Sequence, residues 1–291
     1  MTEPFLESLY FSLFSGVIGA FLFYQAYKKR YFTLAPTSQV QISTLDLFFG
    51  YAIRFFSFQL ITVLLHFQGA SFFHSMFPFV QDDGTFIFFV NFLPMSLNLL
   101  LYGFYFGYFK PELLTRIWKR SSSTLWEDIK VGLTGFIIAY PISLFVNGIS
   151  KSFLLLFFPE NYLPDQNVVQ ELKRLLEITP VKTLFLMGIN TVILAPLLEE
   201  FLFRGLLQNW LRRWLERGIA IFVTSIIFAF FHYHYSQYLG NIPIVLSTFI
   251  LSGFLGICYE KKGSLFSSIV LHAAFNFSSI FLLFLYYLNT N

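Results

Sequence analysis

Eight long apolar stretches constrain this chain more than any other feature. Each approaches or exceeds the ~20 residues that an α-helix needs to cross a bilayer. They run from about Pro4 to Tyr27, Leu45 to Phe67, Thr85 to Phe109, Val131 to Phe158, Thr183 to Leu211, Ile219 to Tyr235, Ile242 to Tyr259 and Ser264 to Leu288. In lipid, backbone polar groups must be satisfied within the segment itself, which helices do. The expected fold is an all-α polytopic membrane helix bundle with about eight transmembrane helices. Composition agrees, since only 12% of the 291 residues are charged, against roughly 25% in soluble domains. A net charge of +3 is too small to suggest a nucleic-acid partner. Cys258 is the single cysteine, which excludes an internal disulfide and zinc sites built from several thiolates.

No repeat, linker or low-complexity tract divides the sequence. It reads as one membrane domain, 1–291, with four spans in 1–158 and four more in 183–288. The first stretch has Glu3 and Glu7 among its leading residues and Lys28, Lys29 and Arg30 behind it. That charge order is the reverse of a secretory signal and predicts a retained span. Basic residues then fall in alternate loops: Lys110, Arg116, Lys119 and Arg120 after span three; Arg212, Arg213 and Arg217 after span five; Lys261 and Lys262 after span seven. The positive-inside rule places these loops in the cytoplasm and both termini outside. The expected location is an integral, multi-pass protein of a bacterial inner membrane, as no eukaryotic sorting signal is evident. Two loop segments have helical apolar spacing. Pro111 to Arg120 predicts a helix on the membrane surface, and a run beginning at Asp165 predicts a short helix bridging spans four and five.

The chemistry-bearing residues are those that break the apolar rule. Span five holds Glu199, Glu200 and Arg204. Each costs roughly 2.5–3.5 kcal/mol to insert, so the three must face the bundle interior, pair, or line a wet cavity. Glu200 and Arg204, four apart, share a helix face and are expected to pair; Glu199, on another face, is left as a free carboxylate. Span six ends with His232, and span eight carries His272 and Asn276 four apart. At ~1.5 Å per residue, Glu199, His232 and Asn276 lie roughly 20 Å above the basic loops and His272 roughly 15 Å above them. Three spans thus bring polar groups to one layer. Arg54, Asn147 and Asn190 are further buried polar residues, read as structural or cavity-lining. Gly205, Gly253 and Gly256 are read as sites of close helix packing.

Carboxylates, histidines and an amide at one depth fit activated-water hydrolysis. Glu199 would be the general base, with His232 holding the water and His272 and Asn276 donating to the oxyanion. The rival is a zinc site on Glu199, His232 and His272 with one position open to water; we read the site as metal-free, without a cofactor. No Gly-x-Ser-x-Gly marks a serine nucleophile. Buried Glu and His also serve as proton relays, which leaves a proton-coupled transporter open.

The ordered set Glu199-Glu200-x-x-x-Arg204, Phe228-x-x-x-His232 and His272-x-x-x-Asn276 resembles the three motifs of the CPBP family, the CAAX prenyl protease type II and bacteriocin-processing (Abi) membrane proteins. Ala195-Pro196 before the glutamates and Phe203-Arg204-Gly205 after them resemble the family framing too. The resemblance covers about Leu184 to Phe277 and leaves the first four spans without a match. It implies an eight-span, glutamate-type intramembrane endopeptidase. Glu199 and His232 would activate water, His272 and Asn276 would form the oxyanion hole, and Glu200 and Arg204 would support the site. The implied partners are the lipid bilayer and a membrane-embedded or lipid-anchored peptide or protein substrate. Family members cut prenylated C-terminal tails or act in peptide processing and immunity, so a non-enzymatic immunity partner is the alternative function.

Overall fold

The structure is a computed structural model that describes residues 3–34, 39–76, 83–119, 124–164 and 181–290. Among these residues there is no strand, and the chain is a helix bundle. The helices are α1 (Glu3–Lys28), α2 (Thr44–Met76), α3 (Asp83–Tyr102), α4 (Pro111–Trp118) and α5 (Leu125–Leu155). After them come α6 (Val181–Ile189), α7 (Ala195–Glu200), α8 (Asn209–Leu211), α9 (Arg217–Phe230), α10 (Asn241–Lys262) and α11 (Leu265–Thr290). Six helical segments among the described residues are long and apolar enough to cross a membrane. The 33-residue α2 and the 14-residue α9 occupy the other two predicted spans. Phe14, Val17, Phe21, Phe104, Ile137 and Phe222 expose apolar surface on these helices, as lipid-facing positions do.

The boundaries differ from the sequence expectation in physically informative places. Span four begins at Leu125, six residues before Val131, because Thr124 and Glu127 form a reciprocal capping box. Within this otherwise exposed first turn Asp128 alone is buried, and it accepts from Ser264 Oγ at 2.8 Å. Span six ends at Phe230 instead of near Tyr235, so His232 stands in the turn beyond the helix. Asn241 shapes the following loop, accepting from His234 N (2.9 Å) and donating to the carbonyls of His234 (2.9 Å) and Tyr238 (3.0 Å). A helix forms where one is expected at Pro111–Arg120, as α4 (Pro111–Trp118). The bridging helix expected from Asp165 lies outside the described residues.

The basic loops gather at one end of the bundle. Lys261 donates to Thr33 O (3.3 Å), Arg213 donates to Ile42 O (3.0 Å), and Lys262 pairs with Glu127 (3.3 Å). Lys119 and Ser264 form an antiparallel bridge. Contacts thus tie together the loops that follow spans one, three, five and seven.

Helix α5 is the scaffold, packing against α1, α10 and α11. Small residues allow the approach, as expected where lipid removes the hydrophobic drive between helices. A Cβ added to Gly135 would stand 2.7 Å from Cys258 Sγ, 2.7 Å from Leu271 Cδ1 and 2.8 Å from the Tyr31 hydroxyl. Gly263, with φ 59°, makes the sharp turn that returns α11 alongside α10. Gly135→Val is expected to cost about 1–3 kcal/mol by overpacking. A lowered thermal midpoint in detergent, against an unchanged one for a lipid-facing control such as Ile137→Val, checks this.

Candidate active site

Span five is built from alternating α and π segments: α6, the π turn Asn190–Leu194, α7, the π turn Phe201–Gln208, and α8. Such bulges shift hydrogen bonding from i→i+4 to i→i+5 and often mark functional sites. In the first, Ala195 N donates to Asn190 O, five residues back. The next carbonyl in that register, Thr191 O, faces Pro196, which has no N–H to give. Asn276 of α11 supplies the missing donor, its Nδ2 lying 2.9 Å from Thr191 O. The Ala195-Pro196 step thus anchors α11 through Asn276, which spends one of its two amide N–H groups.

The end of α7 and the second π turn carry the charges, Glu199 and Glu200 in the former and Arg204 in the latter. Glu200 is fully buried, and its Oε1 accepts from Arg204 Nη1 at 2.8 Å and from His272 Nδ1 at 2.9 Å. Arg204, also fully buried, reaches across to α10, where Nη2 donates to Ser252 O (3.1 Å) and Ser252 Oγ (2.6 Å). Its guanidinium lies 4.5 Å from the centroid of the Phe228 ring on α9. That ring meets His272 edge-on at 5.8 Å and lies 4.8 Å from His232. One ion pair therefore joins four spans.

The histidines present defined faces. His232 Nδ1 is 2.9 Å from Phe228 O. A carbonyl can only accept, so Nδ1 carries the proton, and Nε2 of the neutral ring is an acceptor. His272 donates through Nδ1 to the Glu200 carboxylate, which turns Nε2 toward Glu199 Oε2 at 3.9 Å. His272 Nε2 is thereby a donor only when the ring holds both protons. Glu199 itself is the accessible carboxylate of the pair, with 21% of its side chain exposed against 0% for Glu200.

The structure brings Glu199, Glu200, Arg204 and His272 together directly. His232 joins them through Phe228, and Asn276 through Thr191 and its place one turn beyond His272. Glu199, His232 and His272 do not close into a three-donor metal set among the described residues. Ser252 is a partner of Arg204 that sequence reasoning missed, because the reach of Arg204 across to α10 leaves no spacing signal. A second polar layer at the basic end is also new. Glu260 accepts from Gln208 (3.0 Å) and pairs with Arg212 (2.9 Å) and Arg217 (3.4 Å). A carboxylate ending span seven opposite the arginines ending span five was its legible sign. Asn147 donates to Ser247 at 3.4 Å, and Asn190 is the buried first residue of the π turn. Asn190 Oδ1 has no hydrogen-bond partner among the described residues.

Residues 181–278 match the family model described as Rce1-like, type II CAAX prenyl endopeptidase. The matched segment contains Glu199, Glu200, Arg204, His232, His272 and Asn276, so the family resemblance of the three motifs holds for this segment. Searches of curated proteins and of solved structures returned no match. Breaking a buried ion pair strands the surviving charge, at a cost of about 3–5 kcal/mol. Arg204→Met is accordingly expected to lower the thermal midpoint sharply. The double variant Arg204→Met/Glu200→Gln should recover part of the loss, which a thermal shift assay in detergent measures.

Proposed function

We propose that this membrane protein is a glutamate-type intramembrane endopeptidase that hydrolyses a peptide bond in the tail of a membrane-associated protein or peptide. The observation that carries the reading is the division of labour between adjacent glutamates. Glu200 is buried and bound on one oxygen by Arg204 and His272, while Glu199 is partly exposed and faces His272 Nε2. A carboxylate with accessible oxygens beside an oriented imidazole is a general base positioned for water.

In the proposed reaction, water sits against Glu199 and the acceptor Nε2 of His232. Glu199 takes one proton as the water oxygen bonds to the scissile carbonyl carbon. The resulting oxyanion receives hydrogen bonds from doubly protonated His272, through Nε2–H, and from the unspent amide N–H of Asn276. When the C–N bond breaks, Glu199 passes its proton to the departing nitrogen, leaving a carboxylic acid and an amine, and the acid then gives its proton to the amine. No cofactor enters the scheme. Glu200 and Arg204 hold His272 in place.

Glu199→Ala, in protein that still folds and inserts, is expected to lower kcat by at least ~10²-fold, the usual contribution of a positioned base. Membrane proteomes of cells carrying the unaltered protein or Glu199→Ala should differ in trimmed C-termini, with precursors accumulating in the variant. Identical C-termini would defeat the reading. Full biological function retained by both Glu199→Gln and His272→Ala would instead support a non-enzymatic partner role.

The proposed orientation places the basic end in the cytoplasm and the termini outside. Cysteines introduced at Lys29 or Lys262 should resist a membrane-impermeant maleimide in intact cells and react after lysis. Native Cys258 is buried and gives little background. Labelling of intact cells would invert the topology.

A further inference from the structure

The first four spans lie outside the matched segment, yet one of their charged residues reaches the site. Arg54 stands about ten residues into α2, ~15 Å along the helix axis from its first turn. That face of α2 packs on span five. Gly50 lies so close to Leu206 that a Cβ would not fit between them, and the Tyr102 hydroxyl donates to Gly50 O at 2.9 Å. The Tyr51 ring contacts Phe203 at 6.3 Å and Phe231 at 6.0 Å, the residues flanking Arg204 and His232 in sequence. Arg54, three positions on, shares this face. Its guanidinium lies 4.0 Å from the centroid of the Phe58 ring, and Glu199 is among its electrostatic partners.

Arg204 is fully buried and Arg54 half-buried, and each leaves one guanidinium nitrogen without a hydrogen-bond partner, Nε in Arg204 and Nη1 in Arg54, but only Arg204 is engaged through both terminal nitrogens. Arg204 has a carboxylate, a carbonyl and a hydroxyl around it. Arg54 Nη1 is buried without a hydrogen-bond partner, and so is the Tyr51 hydroxyl, which interacts electrostatically with Arg204. Buried donors are almost always satisfied, so open ones at a reaction site call for a missing acceptor. A guanidinium is a planar, permanently charged, donor-only fork that matches a carboxylate geometrically. Phosphate headgroups belong to the interface, whereas this pair lies well inside the span. The acceptor that enters with the reaction is the substrate.

We propose that Arg54 and Tyr51 bind a carboxylate of the substrate tail, from its C-terminus or from an acidic side chain near the cut. The inference rests on the protease reading and narrows its substrates to tails that present such a group. Binding there sets the distance from the anchored carboxylate to Glu199, and hence which bond is cut.

The test uses the full-length protein in liposomes and a synthetic tail library, S-prenylated at one cysteine and randomised beyond it. Tails are compared as free acids and as C-terminal amides, and with acidic side chains or their amide counterparts. Losing a charge-assisted contact should lower kcat/KM about 10- to 100-fold, chiefly through KM, and whichever neutralisation does so identifies the source. Arg54→Gln should cleave charged and neutral tails at one common, reduced rate, and Tyr51→Phe should narrow the difference. Ratios taken within one preparation cancel the folded fraction, so a purely structural role for Arg54 would leave them unchanged. Equal cleavage of charged and neutral tails by the unaltered protein, or a ratio preserved in Arg54→Gln, overturns the inference and leaves the protease reading standing. Cleavage of no tail by the unaltered protein overturns both.

Discussion

The buried Glu200–Arg204 pair is the constraint on which the site depends. In a low-dielectric span neither charge is tolerable alone, and the pair recruits hydrogen-bonding groups from other helices. Ser252 comes from α10 and His272 from α11, while Phe228 of α9 offers its ring face. The pair thereby brings the family-matched spans together and fixes the orientation of His272. Glu199, one residue away, keeps part of its side chain exposed and lies 3.9 Å from His272 Nε2. Adjacent carboxylates of identical chemistry have different surroundings because only Glu200 pairs directly with Arg204.

Backbone irregularity is the second organising element. Every carbonyl in a membrane helix needs a donor, and the π turns of span five disturb that supply in defined places. Thr191 O loses its partner because position 196 is proline, and Asn276 answers it. After the second π turn, Asn209 Nδ2 donates to the carbonyls of Arg204 and Gly205 at 2.9 and 2.8 Å and lies 2.6 Å from the Tyr259 hydroxyl. A repair of backbone hydrogen bonding is thus also a helix–helix contact in both cases. The reactive layer sits between these two repaired turns.

The N-terminal half contributes support of two kinds. Helix α5 supplies a small-residue surface at Gly132 and Gly135 against which α10 and α11 pack. Helix α2 covers the opposite side of span five and carries Arg54. The basic end, latched by Glu260 with Arg212 and Arg217, closes the bundle one layer away from the chemistry. Polar groups therefore occupy two levels, a charged rim and a buried reactive layer, separated by apolar packing.

Much of this was legible from residue order. Apolar run length, basic-loop alternation and the few polar exceptions depend on sequence alone, because burying a charge in lipid is costly wherever the neighbours lie. The helical spans, the Glu200–Arg204 pair at i,i+4, and the convergence of Glu199 with His272 follow from that. The helix end at Phe230 did not, because Asn241, seven residues beyond His234, shapes the loop that follows. Nor did the partnership of His272 with Glu200, Ser252 with Arg204 and Asn276 with Thr191, or the open donor of Arg54. Sequence established which residues had to be hidden from lipid. Tertiary structure decided which of them met, because hydrogen bonds between helices depend on rotation, tilt and π turns that no spacing rule encodes.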